Sequence, residues 1–463
     1  MPGTTDHPLR VAVIGAGPAG FYAAEHLLKQ ESPVVAVDLF DRLPTPYGLV
    51  RFGVAPDHEK IKNVTRVFDK TAAHGRFRFF GNVDLGTHLT LDDLRAHYHQ
   101  VFFATGAQVD RELGIPGEHL AGSHSATEFV AWYNGHPDYA QHTFDLSQER
   151  VAVVGVGNVA IDVARILCRS HTELATTDIA DHALEALRQS RVREVYLLGR
   201  RGPAQAAFTV PEIKEMGELA QADVYIPPNE VALDPLSAAE LERNPDRETS
   251  KKVEILHGYA QRPPEGRRQR LVFRFCVAPV EVLDDGTGRV GGLRIVKNEL
   301  YDDRGRIAAR PTGVFETLDV GLVFRSVGYK GVLLPGVPFD EKRGVIPNDG
   351  GRVLDPATQQ PLTGLYAGGW IKRGPSGVIG TNKPDAVETV QALLEDVMQG
   401  HHLTPATDDP AALLALVARR QPHYVTFDDW KRLDALEVAR GQAQGRPRVK
   451  FTAVDDLLRA LGR

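Results

Sequence analysis

Twice in this chain a short apolar run breaks into a glycine-rich turn and resumes as an amphipathic helical pattern, and no other feature restricts the possible folds so tightly. The first copy reads Val11-Ala-Val-Ile14, then Gly15-Ala16-Gly17-Pro18-Ala19-Gly20, then Phe21 to Leu28. The second reads Val151-Ala-Val-Val154, then Gly155-Val156-Gly157-Asn158-Val159-Ala160, then Ile161 to Leu167. A strand that runs through such a turn into a helix opens a dinucleotide-binding βαβ unit. Its glycines permit a tight turn and a close backbone approach, and the N–H groups at the helix start attract a pyrophosphate. Alanine in the third place of the second copy fits, because that position chiefly serves close packing of helix on strand. The expected fold is therefore α/β with two Rossmann-like dinucleotide-binding domains.

The residues beyond each turn distinguish the two sites. The apolar run Val34 to Phe40 closes on Asp41, about twenty residues beyond Gly20, where a ribose-binding carboxylate is expected. After the second turn, Val195 to Leu198 ends in Gly199-Arg200-Arg201 with no acidic residue. Two guanidiniums at that strand end suit a 2′-phosphate, which arginine grips in bidentate fashion, so NADP is expected over NAD. Between the two units lie Val101 to Gly106 and the breaker-rich Gly114 to Gly117, and late in the chain Leu365 to Trp370 reads as a strand returning to the first domain. The second domain is thus predicted to be inserted into the first, with boundaries at 1–107, 108–331 and 332–463. Val253 to Ile255, Leu271 to Val277 and Leu293 to Val296 read as strands extending from the second domain, and Asp284-Asp-Gly286 as a hairpin turn. Helical patterns cover Pro410 to Arg419 and Asp428 to Arg440.

Composition excludes several classes. With 463 residues, 42% hydrophobic and 25% charged, the chain is a multidomain globular protein, and no run approaches the ~20 apolar residues of a membrane-spanning helix. A net charge of −6 argues against nucleic acid as a partner, leaving only local basic patches for polyanions. The two cysteines, Cys168 and Cys276, stand far apart and supply neither a CxxC redox pair nor four ligands for an iron–sulfur cluster. No metal site is expected, and the polar residues ahead of Val11 point to a cytoplasmic protein.

Five further residues carry two readings each. Asp162 reads as a first-turn carboxylate favoured by the helix dipole or as a site residue. His58 is a surface histidine or a functional one, Glu212 and Glu215 are the exposed face of a helix from Pro211 to Ala220 or ligand contacts, and Trp370 is core or cofactor cover.

Longer motifs carry more. Pro46-Tyr-Gly-Leu-Val-Arg-Phe-Gly-Val-Ala-Pro-Asp-His58, Gly157-Asn-Val-Ala-Ile-Asp-Val-Ala-Arg165, Arg200-Arg-Gly-Pro203 and Gly369-Trp-Ile-Lys-Arg-Gly-Pro-Ser-Gly-Val-Ile379 resemble the adrenodoxin reductase-like family of ferredoxin–NADP reductases, in motif order over roughly residues 8 to 450. The resemblance implies an FAD enzyme that takes hydride from NADPH and passes single electrons to a small iron–sulfur protein. It assigns Ala19, Asp41, Leu49, Leu85, Trp370 and Gly377-Val378-Ile379 to FAD. It assigns Val156, Gly157, Asn158, Val159, Arg200, Arg201, Glu212 and Gly377 to NADP, His58 and Glu215 to a polar pair near the flavin, and Asp162 to the nicotinamide. Glu59, Val156 and Pro211 depart from the family pattern. An acidic ferredoxin would be drawn to a basic patch, for which Lys214, Arg200, Arg201, Lys372 and Arg373 are candidates. The rival readings are a flavin subunit of the glutamate synthase type, an NADPH diaphorase, and a dinucleotide-sensing module without catalysis.

Overall fold

The computed structural model describes residues 2–463 and divides into two compact units. One comprises the residues up to Val109, Asn134–Pro137 and Gly328–Arg463, and the other Asp110–Tyr133 and Asp138–Val327. These crossings fall two to four residues from the sequence boundaries, and the short Asn134–Pro137 stretch groups with the first unit.

The first unit is built on a seven-stranded sheet in the order 348–349, 352–354, 361–367, 100–103, 9–14, 35–40, 77–80. Its last five strands are mutually parallel, with Leu9 opposite Val35 and Ile14 opposite Phe40. Alternation along Leu9–Ile14 feeds both faces: Leu9, Val11 and Val13 join one core cluster, and Ala12 and Ile14 another. Helix Pro18–Leu28 starts with proline in its first turn and packs through Phe21, Ala24 and Leu28 against the sheet. The returning strand is Pro361–Ala367, and it ends before Trp370. Gly369, at φ 75°, turns the chain into the short helix Trp370–Arg373. The late helical patterns are helices Pro410–Arg420 and Phe427–Gln442, the second begun by a capping box between Thr426 and Asp429.

The second unit holds a six-stranded, all-parallel sheet in the order 123–125, 322–325, 150–154, 194–199, 269–275, 222–225. Val151 and Val153 face one core, and Ala152 and Val154 the other, repeating the first unit's logic. A three-stranded antiparallel sheet, Val277–Asp284, Val290–Asp303 and Arg306–Leu318, is the extension expected around the 284–286 turn.

Two expectations need correction here. Val253 to Ile255 lies in helix Arg247–Gln261, not in a strand. Lys252, Val253, Leu256 and Tyr259 form a buried stripe at helical spacing, and the Asp246 side chain accepts from the backbone N–H groups of Glu248 and Thr249. Leu271 to Phe275 is an interior strand of the main sheet, and the chain breaks at Cys276, at φ 53°, before Val277 begins the extension.

Candidate active site

In the first unit the glycine turn takes its shape from three distinct demands. Gly15 sits at φ 107°, and a Cβ there would fall 2.5 Å from the Ala104 carbonyl oxygen. A Cβ on Gly20 would lie 2.1 Å from the Gly15 oxygen, so the third glycine is required for the helix to close on the strand. A Cβ on Gly17 would meet nothing within 4 Å, and the helix that Gly17 begins has no side-chain cap. The middle glycine therefore presents bare backbone to open space at a helix N-terminus, the cradle that a pyrophosphate requires. Asp41 stands at the end of the neighbouring strand, where its carboxylate accepts from Ala16 N–H at 2.8 Å and Leu43 N–H at 2.9 Å. Burial pushes the Asp41 carboxyl up, against these two N–H groups, which favour its charged form. Thr105 Oγ1, at the turn that crowds Gly15, is buried without a hydrogen-bond partner among the described residues.

Around this turn, a Cβ on Gly48, itself at φ 49°, would sit 3.0 Å from Gly17 Cα, and one on Gly369 would sit 2.6 Å from Ala19 Cβ. The segments carrying Leu49 and Trp370 thus border the cradle. Leu49 is 40% exposed, a large apolar side chain left at its rim; Val378 is 50% exposed, the Leu85 side chain is buried in the core and Ile379 is half-buried. Half-buried Trp370 stacks on Tyr329, with ring centroids 6.2 Å apart and planes 9° from parallel, and donates its indole N–H to the Ser376 carbonyl. Gly377, Arg373, Ser376 and Thr381 line a cavity of about 500 Å³. His58 precedes the short helix Glu59–Lys62 and is half-buried.

Lys372 is not the surface cation expected for docking. It is 7% exposed, and its ammonium meets Glu388 at 2.6 Å and Asp385 at 3.3 Å. Arg373 is likewise engaged by Asp385, Ser376 and Asn382. The turn at Gly369 brings both cations onto the acidic first turns of helix Asn382–Met398, which consumes their charge.

The second unit repeats the cradle. Gly155, at φ 136°, would clash through a Cβ with the Ser326 oxygen at 2.2 Å, while a Cβ on Gly157 would meet nothing within 4 Å, and Ala160 is fully buried. Asn158 Oδ1 accepts from Thr209 N–H at 2.9 Å, and the Val156 carbonyl accepts from Ala207 and Phe208 N–H, so this turn is tied to the segment leading into helix Val210–Met216. Arg200 is exposed and Arg201 half-buried, and neither has a carboxylate partner among the described residues. Burial and then the neighbouring Arg200 charge both lower the Arg201 guanidinium, so a dianion between them would relieve an unfavourable pairing. Lys214 is also exposed and without such a partner.

Sequence reasoning missed the residue that organises this unit's carboxylates. Arg165 is fully buried on helix Asn158–Cys168, and its guanidinium meets Asp162 at 2.6 Å, Glu212 at 3.0 Å and Glu215 at 3.6 Å. Asp162 is therefore no first-turn dipole residue; it lies beyond the first turn and is buried. Glu212 is buried and Glu215 half-buried, so the helix they share does not present both to water. Three carboxylates thus share one buried guanidinium. The signal was present in the sequence: a lone cation three residues after an acid, within the apolar run Ile161 to Leu167.

Two mononucleotide-type cradles, one edged by an acid and one by paired arginines, define a protein built to hold two dinucleotides. The profile of the family described as pyridine nucleotide-disulphide oxidoreductase matches residues 9–198. The disulphide half of that description has no counterpart, because both cysteines are free, and burial pushes Cys168 up to about 12 and, with Asp234 and Glu230, Cys276 up to about 11. A probable ferredoxin/ferredoxin–NADP reductase of Mycobacterium tuberculosis is 49% identical over 98% of this chain and 76% of its own length. The mitochondrial NADPH:adrenodoxin oxidoreductase of Arabidopsis thaliana is 43% identical over 98% of this chain and 96% of its own. The structure of Mycobacterium tuberculosis FprA in complex with NADPH superposes with a TM-score of 0.92 at 46% identity, covering 98% of this chain and all of that one. The chain belongs to the adrenodoxin reductase-like family of ferredoxin–NADP reductases, flavin-dependent oxidoreductases linked to NADPH.

Proposed function

We propose that the first unit binds FAD, that the second binds NADP(H), and that the enzyme carries electrons from NADPH to a ferredoxin-type iron–sulfur protein. The single observation that carries this reading is the pair of cradles in which Gly17 and Gly157 offer bare backbone, one flanked by Asp41 and the other by Arg200 and Arg201. When bound, FAD accepts a hydride and releases electrons one at a time, which matches a two-electron donor to a one-electron acceptor. Gly15 to Gly20 hold the FAD pyrophosphate and Asp41 the ribose side, with Leu49, Leu85, Trp370 and Gly377 to Ile379 along the rest of the cofactor. Val156 to Val159 receive the second pyrophosphate, Arg200 and Arg201 the 2′-phosphate, and Glu212 and Gly377 complete that set. His58 and Glu215 act as polar groups toward the flavin that orient and manage protons, and Asp162 serves the nicotinamide. Arg165 supplies the shared counter-charge that holds Asp162, Glu212 and Glu215 in place.

Of the five docking candidates, Arg200, Arg201 and Lys214 keep charge available for an acidic partner, in an encounter weakened by salt. Among the described residues no helix is long and apolar enough to cross a membrane, and we place the enzyme in the cytoplasm. The purified chain should be yellow, should bleach anaerobically with NADPH faster than with NADH, and should then reduce an added [2Fe–2S] ferredoxin. Bleaching without ferredoxin reduction supports a diaphorase, and a colourless protein that binds NADPH supports a sensing module.

A further inference from the structure

The segment Tyr47–Phe52 borders the first cradle, and its own hydrogen bonds, from Val50 N–H to the Tyr47 carbonyl and from Arg51 and Phe52 N–H to the Gly48 carbonyl, each at 3.0 Å, close one short helical turn. Tyr47 is a non-glycine residue at φ 85°, followed by Gly48 at φ 49°, a conformation that neighbours must enforce. One end is pinned to the glycine turn, where Tyr47 N–H donates to the Ala16 carbonyl at 2.8 Å. Phe21 and Phe68 pack against the Tyr47 ring, with centroids 5.5 and 6.0 Å away, and further restraints come from nearly four hundred residues along the chain. Trp430 donates its indole N–H to the Tyr47 hydroxyl at 3.2 Å and meets the Tyr47 ring edge-on at 5.7 Å. The Tyr47 hydroxyl donates in turn to Asp69; burial and that carboxylate push Tyr47 far up, so it stays a donor.

Arg51 forms a two-pronged ion pair with Glu437, at 2.8 and 2.6 Å, with both side chains under 5% exposed. Its guanidinium also lies 5.1 Å over the Trp430 ring. Burial alone would raise the Glu437 carboxyl, but Arg51, Arg448 and the Phe451 N–H outweigh it and hold the group below its ordinary value, ionised. The Lys450 ammonium donates to the Arg51 carbonyl at 3.3 Å. The stretch after helix Phe427–Gln442 folds closely back on it because Gly441 has no side chain: a Cβ there would lie 2.4 Å from Arg448 Cα.

We propose that residues 427–451 form a bracket that sets the conformation of the FAD-facing segment, with Trp430 and Glu437 as positioning residues for flavin retention. The bracket needs no contact with the cofactor. It acts through Tyr47 and Arg51 on a segment that Gly48 places against Gly17 and that carries exposed Leu49. This rests on reading the Gly15–Gly20 turn as the FAD site. A wild-type protein without flavin would defeat that reading, whereas the bracket is tested only on variants of a yellow protein.

The test measures FAD release from the holoenzyme by the fluorescence of freed flavin, together with the visible circular dichroism of the bound flavin and the melting of the flavin-free chain. Trp430→Phe deletes one N–H donor and keeps most of the ring, and should speed FAD release about fivefold, as the loss of one buried hydrogen bond implies. Glu437→Gln keeps the shape but leaves Arg51 without a counter-charge, and should speed release at least tenfold and alter the flavin dichroism. Arg51→Met with Glu437→Met removes both charges and should leave flavin-free melting near wild type while release stays fast. If Glu437→Gln does not fold, Trp430→Phe and the double variant decide the matter. Unchanged FAD release and dichroism in these variants, with only the flavin-free melting lowered, would overturn the proposal and make the bracket a purely structural element.

Discussion

Arg165 offers the sharpest perturbation of the second unit, because one guanidinium with no exposure answers three carboxylates. Arg165→Met keeps most of the aliphatic stem and deletes the charge. Two of the three partners, Asp162 and Glu212, have side chains only 12% and 11% exposed, so removing their cation belongs with broken buried ion pairs, at about 3–5 kcal/mol. Glu215, at 3.6 Å and one-third exposed, adds under about 1 kcal/mol. In a unit of about 200 residues each kcal/mol lowers Tm by roughly 2–4 °C, so a fall of about 6–24 °C is expected. Thermal melts at neutral pH, followed by circular dichroism, measure it. Adding Asp162→Asn and Glu212→Gln to Arg165→Met should recover most of the loss. A fall in Tm well short of this range, or no recovery in the triple variant, would refute the account of Arg165 as the shared counter-ion.

Gly17→Val should give a folded but colourless protein, since Gly17 has an ordinary φ of −81° and an open Cβ direction; normal yellow protein would remove the site. Arg200→Ala with Arg201→Ala should weaken NADPH binding by roughly 1–3 kcal/mol per lost charged hydrogen bond and leave NADH nearly unchanged in a titration of both coenzymes. Asp162→Asn should weaken NADP⁺ more than NADPH, because only the oxidised nicotinamide is cationic; equal losses by calorimetry would detach Asp162 from the ring. His99, whose ring accepts from Arg10 N–H, is lowered to about 4 by burial and then by His402, so its native, neutral form is destabilised as pH falls from 6.5 toward 4. His99→Gln should flatten that part of the melting-temperature profile, by up to roughly 3 kcal/mol.

The features legible in the sequence are those fixed by stereochemistry over a few residues. Two glycine turns are set by local backbone demands, the acid after one strand and the arginines after another show by their place at a strand end, and the late helices at 410–420 and 427–442 show their periodicity directly. Short apolar runs without a turn beside them are ambiguous, which is why Val253 to Ile255 reads as strand although Asp246 caps a helix seven residues earlier.

What could not be read is the pairing of charges across the chain. Lys372 looks like a surface cation because Asp385 and Glu388 lie on a separate helix, and only the positive φ of Gly369 folds the lysine onto them. Arg51 sits inside a recognisable motif, but its partner Glu437 stands 386 residues later in a stretch without any motif. Arg165, Arg51 and Lys372 share one property: each is a cation buried in an otherwise apolar or glycine-bordered setting. A buried cation demands a carboxylate whose position the sequence does not disclose. The physical rule therefore identifies the residue that must have a partner, and the fold alone selects which one. In the first unit that selection draws Trp430 and Glu437 onto the Tyr47–Phe52 segment, and in the second it turns three acids that seemed separable into one cluster around Arg165.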